Sequence, residues 1–220
     1  MQKIISYLSQ KYDPVSILIY GSYADGTNQK SSDFDALVIS KTHPSFHDVS
    51  FIDHTQLDVF IYPTCYFDQE FDWNPLIPIA DAKIALDENG FGQSLKKRVQ
   101  EYIRNLPVKG PEEISDEIKW CQKMLSRTHR EDLEGYFRWH WLLTDSLEIF
   151  CDVYHHSYLG PEKSLKWMQQ EDPKAYQLYT EALCQFQKSS TENWIHYIET
   201  IFAESENNKD NTPSKAKDSE

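Results

Sequence analysis

Glycine is scarce in this chain, 7 of 220 residues, and cations are outnumbered, with 22 Lys and Arg against 35 Asp and Glu for a net charge of −13. A nonspecific binder of duplex DNA or RNA needs a basic surface to displace phosphate counterions, so this balance argues against that class. No GxxxxGK[ST] occurs, and the one GxG, Gly90-Phe91-Gly92, lacks the third glycine and the preceding unit of a dinucleotide fingerprint. No apolar run approaches the ~20 residues that span a bilayer. The N-terminal MQKIISYLSQKYD has neither the apolar core nor the cleavage site of a secretory signal. Cysteine is sparse too: Cys65, Cys121, Cys151 and Cys184 are far apart, with no CxxC pair and no zinc spacing. These absences lead us to expect a cytoplasmic protein with free thiols.

What is present is core material: 40% hydrophobic residues and 14% aromatics. Up to about residue 108, short β-branched and aromatic runs alternate with turns. VSILIY (15–20), FDALVIS (34–40), LDVFIY (57–62) and AKIALD (82–87) read as strands. Ile4, Ile5 and Leu8 mark a helix before the first strand, and Leu95, Val99, Tyr102, Ile103 and Leu106 share one face of another. After the VKGP hinge (108–111) the strand pattern disappears. Ile114, Ile118, Cys121 and Leu125 form a helical stripe, a long aromatic-rich helix spans about 132–158, and two or three more helices follow. The expected class is α+β: a mixed sheet with flanking helices over 1–108, a helical bundle over 111–203, and a disordered acidic tail over 204–220. Aromatic faces in such a bundle are core by default, and His43, His47 and His54 are expected to be loop histidines and not a zinc site.

The informative segment is ILIYGSYADGTNQKSSDFDALVI (17–39), followed by QLDVFIY (56–62). An apolar strand runs into Gly21-Ser22, where a residue without Cβ lets the backbone turn sharply and approach a ligand. Asp33 and Asp35 stand i, i+2 at the head of the next strand, so both carboxylates project to one side. Asp58 is an acid inside a run that otherwise reads as core. Acids held this close repel unless a cation sits among them. Three of them on two strands beside a Gly-Ser turn suit a two-Mg²⁺ phosphoryl-transfer site.

Gly-Ser, ten residues, Asp-x-Asp and a later apolar-Asp-apolar strand resemble the DNA polymerase β-like nucleotidyltransferase superfamily. With a helical part following, the chain is similar to the small bacterial antibiotic (aminoglycoside and lincosamide) nucleotidyltransferases. The motif likeness covers about residues 15–62. The resemblance implies that Gly21 and Ser22 hold the β- and γ-phosphates of an NTP, ATP being the expected one. It implies that Asp33, Asp35 and Asp58 hold two Mg²⁺ ions, with Asp58 also helping to deprotonate the acceptor. The reaction would be attack of a hydroxyl on the α-phosphorus, moving an NMP to a small hydroxylated molecule. Many relatives read Gly-Ser-x-Ala-Arg-Gly, whereas this chain has Asp25 at the Arg position; Lys30 is the candidate to supply the missing charge. For the acceptor, Trp141, Asp145 and Glu148 on the long helix are the candidate wall residues, against a solvated acidic face as the plain alternative. Nucleotidylation of a protein side chain and a non-catalytic nucleotide-binding regulator are the competing functions. No duplex nucleic acid or membrane partner is expected, and a homodimer is left open.

Overall fold

The computed structural model describes residues 1–210, which form two compact units, Met1–Leu106 and a second from Pro107 onward. The first is α+β, as the alternation of runs and turns suggests. Its elements are α1 (Gln2–Tyr12), β1 (Pro14–Ile19), α2 (Gly21–Asp25), β2 (Phe34–Ser40), β3 (Phe46–Asp48), β4 (Phe51–Ile52), β5 (Thr55–Pro63), β6 (Lys83–Asp87) and α3 (Phe91–Arg104). Two 3₁₀ segments, Thr64–Asp68 and Asn74–Asp81, lie between β5 and β6.

The strands line up as β3-β5-β2-β1-β6, with β4 paired to β5 off that path. β2 and β5 run parallel, and the other pairs are antiparallel. Strand periodicity then divides the side chains between two faces. Ile17 and Ile19 of β1, Ala36 and Val38 of β2, and Leu57, Val59 and Ile61 of β5 pack with Ile4, Leu8 and Tyr12 of α1. Leu18, Leu37 and Ile39 go to the opposite face, under Leu95 and Val99 of α3 and Leu76 and Ile79 of the second 3₁₀ segment. Both faces of the sheet carry core, and Asp35 and Asp58 stay half-buried at the start of the β2–β5 pairing. The Asp87 carboxylate starts α3, accepting from the N–H groups of Gly92 (2.7 Å) and Gln93 (3.0 Å).

The second unit is all helical: α4 (Pro111–Thr128), α5 (Leu133–Val153), α6 (Pro161–Glu171), α7 (Pro173–Gln185) and α8 (Lys188–Asp210). Proline at the first helical position starts α4, α6 and α7, where its missing N–H costs nothing. Trp139 and Trp194 are core residues with satisfied indoles, donating to Thr191 Oγ1 (2.8 Å) and Ser146 Oγ (2.9 Å). Asp172 ties three helices together: it caps α7 through Ala175 N–H (2.9 Å) and accepts from Tyr154 (2.7 Å) and Tyr197 (2.8 Å).

Three details differ from the sequence expectation. β3 and β4 occupy a segment read as a histidine-bearing loop. α5 stops at Val153 rather than near 158, because His155 takes a left-handed φ of 51° and His156 N–H bonds back to the Cys151 carbonyl. α8 continues to Asp210, through residues 204–210 assigned above to a tail; the remainder of that stretch, 211–220, lies outside the described residues.

Candidate active site

β1 ends at Ile19, and the N–H of the next residue, Tyr20, still donates to the Asp35 carbonyl at 3.1 Å. The backbone then turns through Gly21, at φ 62°, into the short helix α2. A Cβ on Gly21 would stand 2.5 Å from Oδ2 of Asp35, well inside contact distance. Only glycine allows both the left-handed torsion and this approach of the turn to the carboxylate. α2 closes through Ser22, whose carbonyl accepts from the N–H groups of Gly26 and Thr27.

Asp33 immediately precedes β2 and Asp35 is its second residue. Across the parallel pair, Asp35 is the register partner of Asp58. Phe34 and Leu57, their neighbours, point into the core under α1, so alternation turns both acids to the other face. One oxygen from each of Asp33, Asp35 and Asp58 lies within 4.8 Å of the others; Asp33 is exposed and the other two are half-buried. Three carboxylates at that spacing repel one another in the absence of a counter-charge. Their electrostatic effect reaches Tyr20: burial first, and then the charges of Asp58, Asp35 and Asp33, hold its phenol well above the usual range. A hard-oxygen donor set, converging from two strands and partly open, fits a divalent cation such as Mg²⁺. The residues that would hold it are Asp33, Asp35 and Asp58.

Sequence reasoning missed one neighbour of this cluster. His47, placed by composition in a loop, lies on β3 opposite Phe60 of β5. Its ring stacks on Phe60 at 4.2 Å with planes 4° apart, and its Nε2 sits 2.5 Å from Oδ1 of Asp58.

Residues 1–105 match the family of nucleotidyltransferase domains. The N-terminal unit is a nucleotidyltransferase domain of the polymerase β-like superfamily. A solved structure similar to this chain is that of a nucleotidyltransferase-like protein from Exiguobacterium sibiricum, 14% identical with a TM-score of 0.40, covering 92% of this chain and 73% of that one. No curated protein matches the chain. Members of the family use a nucleoside triphosphate and a divalent metal, and the carboxylate triad can hold such an ion.

Around the triad of the nucleotidyltransferase domain, Gly21 and Ser22 form the first turn of α2 beside Asp35, both partly exposed. Asp25 ends that helix and Lys30 lies in a separate turn between α2 and β2; both are exposed.

The candidate acceptor residues come together in the helical unit. Trp141, Asp145 and Glu148 line a cavity of about 310 Å³ with Lys109, Glu117 and Trp120. The two indoles meet edge to face at 5.6 Å, and Trp141 Nε1 donates to Asp145 at 2.5 Å. Lys109 bonds both Glu117 and Asp152. Burial raises the Glu117 carboxyl despite that partner, and its Oε2 is buried without a hydrogen bond among the described residues. Glu134, in the first turn of α5, is instead a surface charge, paired with Arg130 and Arg138.

Proposed function

We propose that this protein transfers an NMP, AMP being the expected one, from an NTP to a hydroxyl of a small amine-bearing molecule of the aminoglycoside type. The observation that carries the reading is the convergence of Asp33, Asp35 and Asp58 on the domain family's scaffold. Two Mg²⁺ ions bound there would neutralise phosphate charge and hold the attacking and leaving oxygens. Gly21 and Ser22 receive the β- and γ-phosphates, where the close turn keeps Asp35 and the nucleotide in one place. Lys30 offers the cation that Asp25 does not. Asp58 accepts the proton of the acceptor hydroxyl as its oxygen bonds to the α-phosphorus and the bond to pyrophosphate breaks. In-line positioning and charge compensation supply the catalysis.

The acidic, tryptophan-walled cavity of the helical unit supports a cationic acceptor. Asp145 and Glu148 can accept from ammonium groups, and indole faces favour cations. The free cysteines support a reducing compartment such as the cytoplasm as the site of the reaction. Among the described residues no helix is long and apolar enough to cross a membrane.

The test is incubation with NTPs labelled at the α-phosphate, Mg²⁺ and a panel of aminoglycosides and lincosamides. A labelled antibiotic, together with released pyrophosphate, supports the proposal. Label on a protein band instead would favour side-chain nucleotidylation, and no transfer to any acceptor would favour a nucleotide-binding regulator.

A further inference from the structure

His47 stands apart from the other histidines of its segment. It is fixed from two sides. On the sheet face that carries Asp58, its ring lies flat on Phe60 and its Nε2 meets Asp58 Oδ1 at 2.5 Å. Register explains the meeting: His47 opposes Phe60, and Asp58 is two residues away on the same strand and face, within diagonal reach. On the opposite face, the next residue, Asp48, anchors β3 to α1. Its buried carboxylate accepts from Tyr12 (2.5 Å), Tyr7 (3.1 Å) and Lys11 (3.3 Å), and from the N–H of Ser50 (3.0 Å).

An ionised carboxylate can only accept, so Nε2 must carry the proton and donate it to Asp58. We infer that His47 is a positioning residue: it occupies one oxygen of Asp58 and thereby sets the plane in which the other is offered to the Asp33–Asp35 pair. The inference rests on reading the triad as a divalent-cation site. In such sites the groups that orient a ligating carboxylate control affinity without touching the ion.

The experiment is a titration with Mn²⁺ alone, followed by electron paramagnetic resonance of the free ion, on the full chain without nucleotide. The proteins are wild type, His47→Ala and His47→Gln, the last keeping an N–H donor at similar reach. His47→Ala is expected to weaken Mn²⁺ binding by about ten- to a hundredfold, with an unchanged melting temperature in metal-free buffer, since His47 is half exposed on a short strand. His47→Gln is expected to restore most of the affinity. In turnover, His47→Ala should lower kcat more than it raises KM for the acceptor. Equal Mn²⁺ affinity in wild type and His47→Ala overturns the positioning role and leaves the metal site standing. A wild type that does not bind Mn²⁺ overturns both.

Discussion

Gly21 and Asp35 are coupled through space: a methyl group on the first would sit 2.5 Å from a carboxylate oxygen of the second. The turn that would receive the phosphates and the strand that carries the acids therefore cannot vary independently. Gly21→Ala is expected to cost about 1–2 kcal/mol for the left-handed torsion alone, and to push the Asp35 carboxylate out of the triad. Thermal denaturation reads the first effect. A Mn²⁺ titration reads the second, as a loss of affinity larger than the stability change explains.

The three carboxylates set stability against function. Without metal, Asp33→Asn or Asp35→Asn should raise the melting temperature slightly, because one repelling charge is removed from a group within 4.8 Å. With millimolar Mg²⁺ the order should reverse, as the ion stabilises the wild type by binding only the folded state. Turnover of either variant should fall by about a thousandfold or more, the equivalent of several kcal/mol of lost charge stabilisation. A large drop in metal-free melting temperature would show that the acids are structural.

Asp48 makes acid stability a test of the β3 anchor. Burial opposes its charge, but hydrogen bonds from Ser50, Tyr12 and Lys11 outweigh that and hold the carboxyl well below the ordinary range. The Tyr12 phenol, buried against it, is pushed up to about 12. A depressed carboxyl contributes fully above its unfolded value of roughly 3.9. As pH falls below that, the unfolded chain takes up the proton first, and the contribution is lost. Asp48→Asn should therefore flatten the fall in unfolding free energy below about pH 4. Asp48→Ala should cost about 3 kcal/mol at neutral pH. Urea denaturation across pH 2–7 measures both.

In the helical unit, Asp172 serves as α7 cap and as acceptor for two phenols, Tyr154 at the C-terminal end of α5 and Tyr197 of α8. Tyr154→Phe and Tyr197→Phe should each cost about 1 kcal/mol. Asp172→Ala should exceed their sum, because it also removes a helix cap worth about 1 kcal/mol. A double-mutant cycle on Tyr154 and Tyr197, read by chemical denaturation, should show coupling through the shared carboxylate.

The sheet and the triad were legible because each rests on local chemistry. Ile17–Ile19, Leu37–Ile39 and Leu57–Ile61 are β-branched or apolar runs that suit a covered strand, and Asp58 stood out as a charge within the last. Asp35 and Asp58 then required no more than parallel register to meet. β3 was not legible. Phe46-His47-Asp48 is three residues long with mostly exposed side chains, and it forms a strand because β5 offers an edge and α1 offers Tyr12 to Asp48. The His47–Asp58 contact follows from that tertiary pairing and has no sequence signal of its own. The end of α5 was missed for a similar reason: residues 154–158 carry no proline or glycine, and the helix stops where His155 turns left-handed.

The central claim is that Asp33, Asp35 and Asp58 together make a metal-dependent nucleotide site. Calorimetric titration of ATP into wild type and Asp35→Ala, with and without Mg²⁺, tests it most directly. The account predicts binding by the wild type that depends on Mg²⁺ and is lost in Asp35→Ala. Equal ATP binding by the two proteins, or none by either, would contradict it.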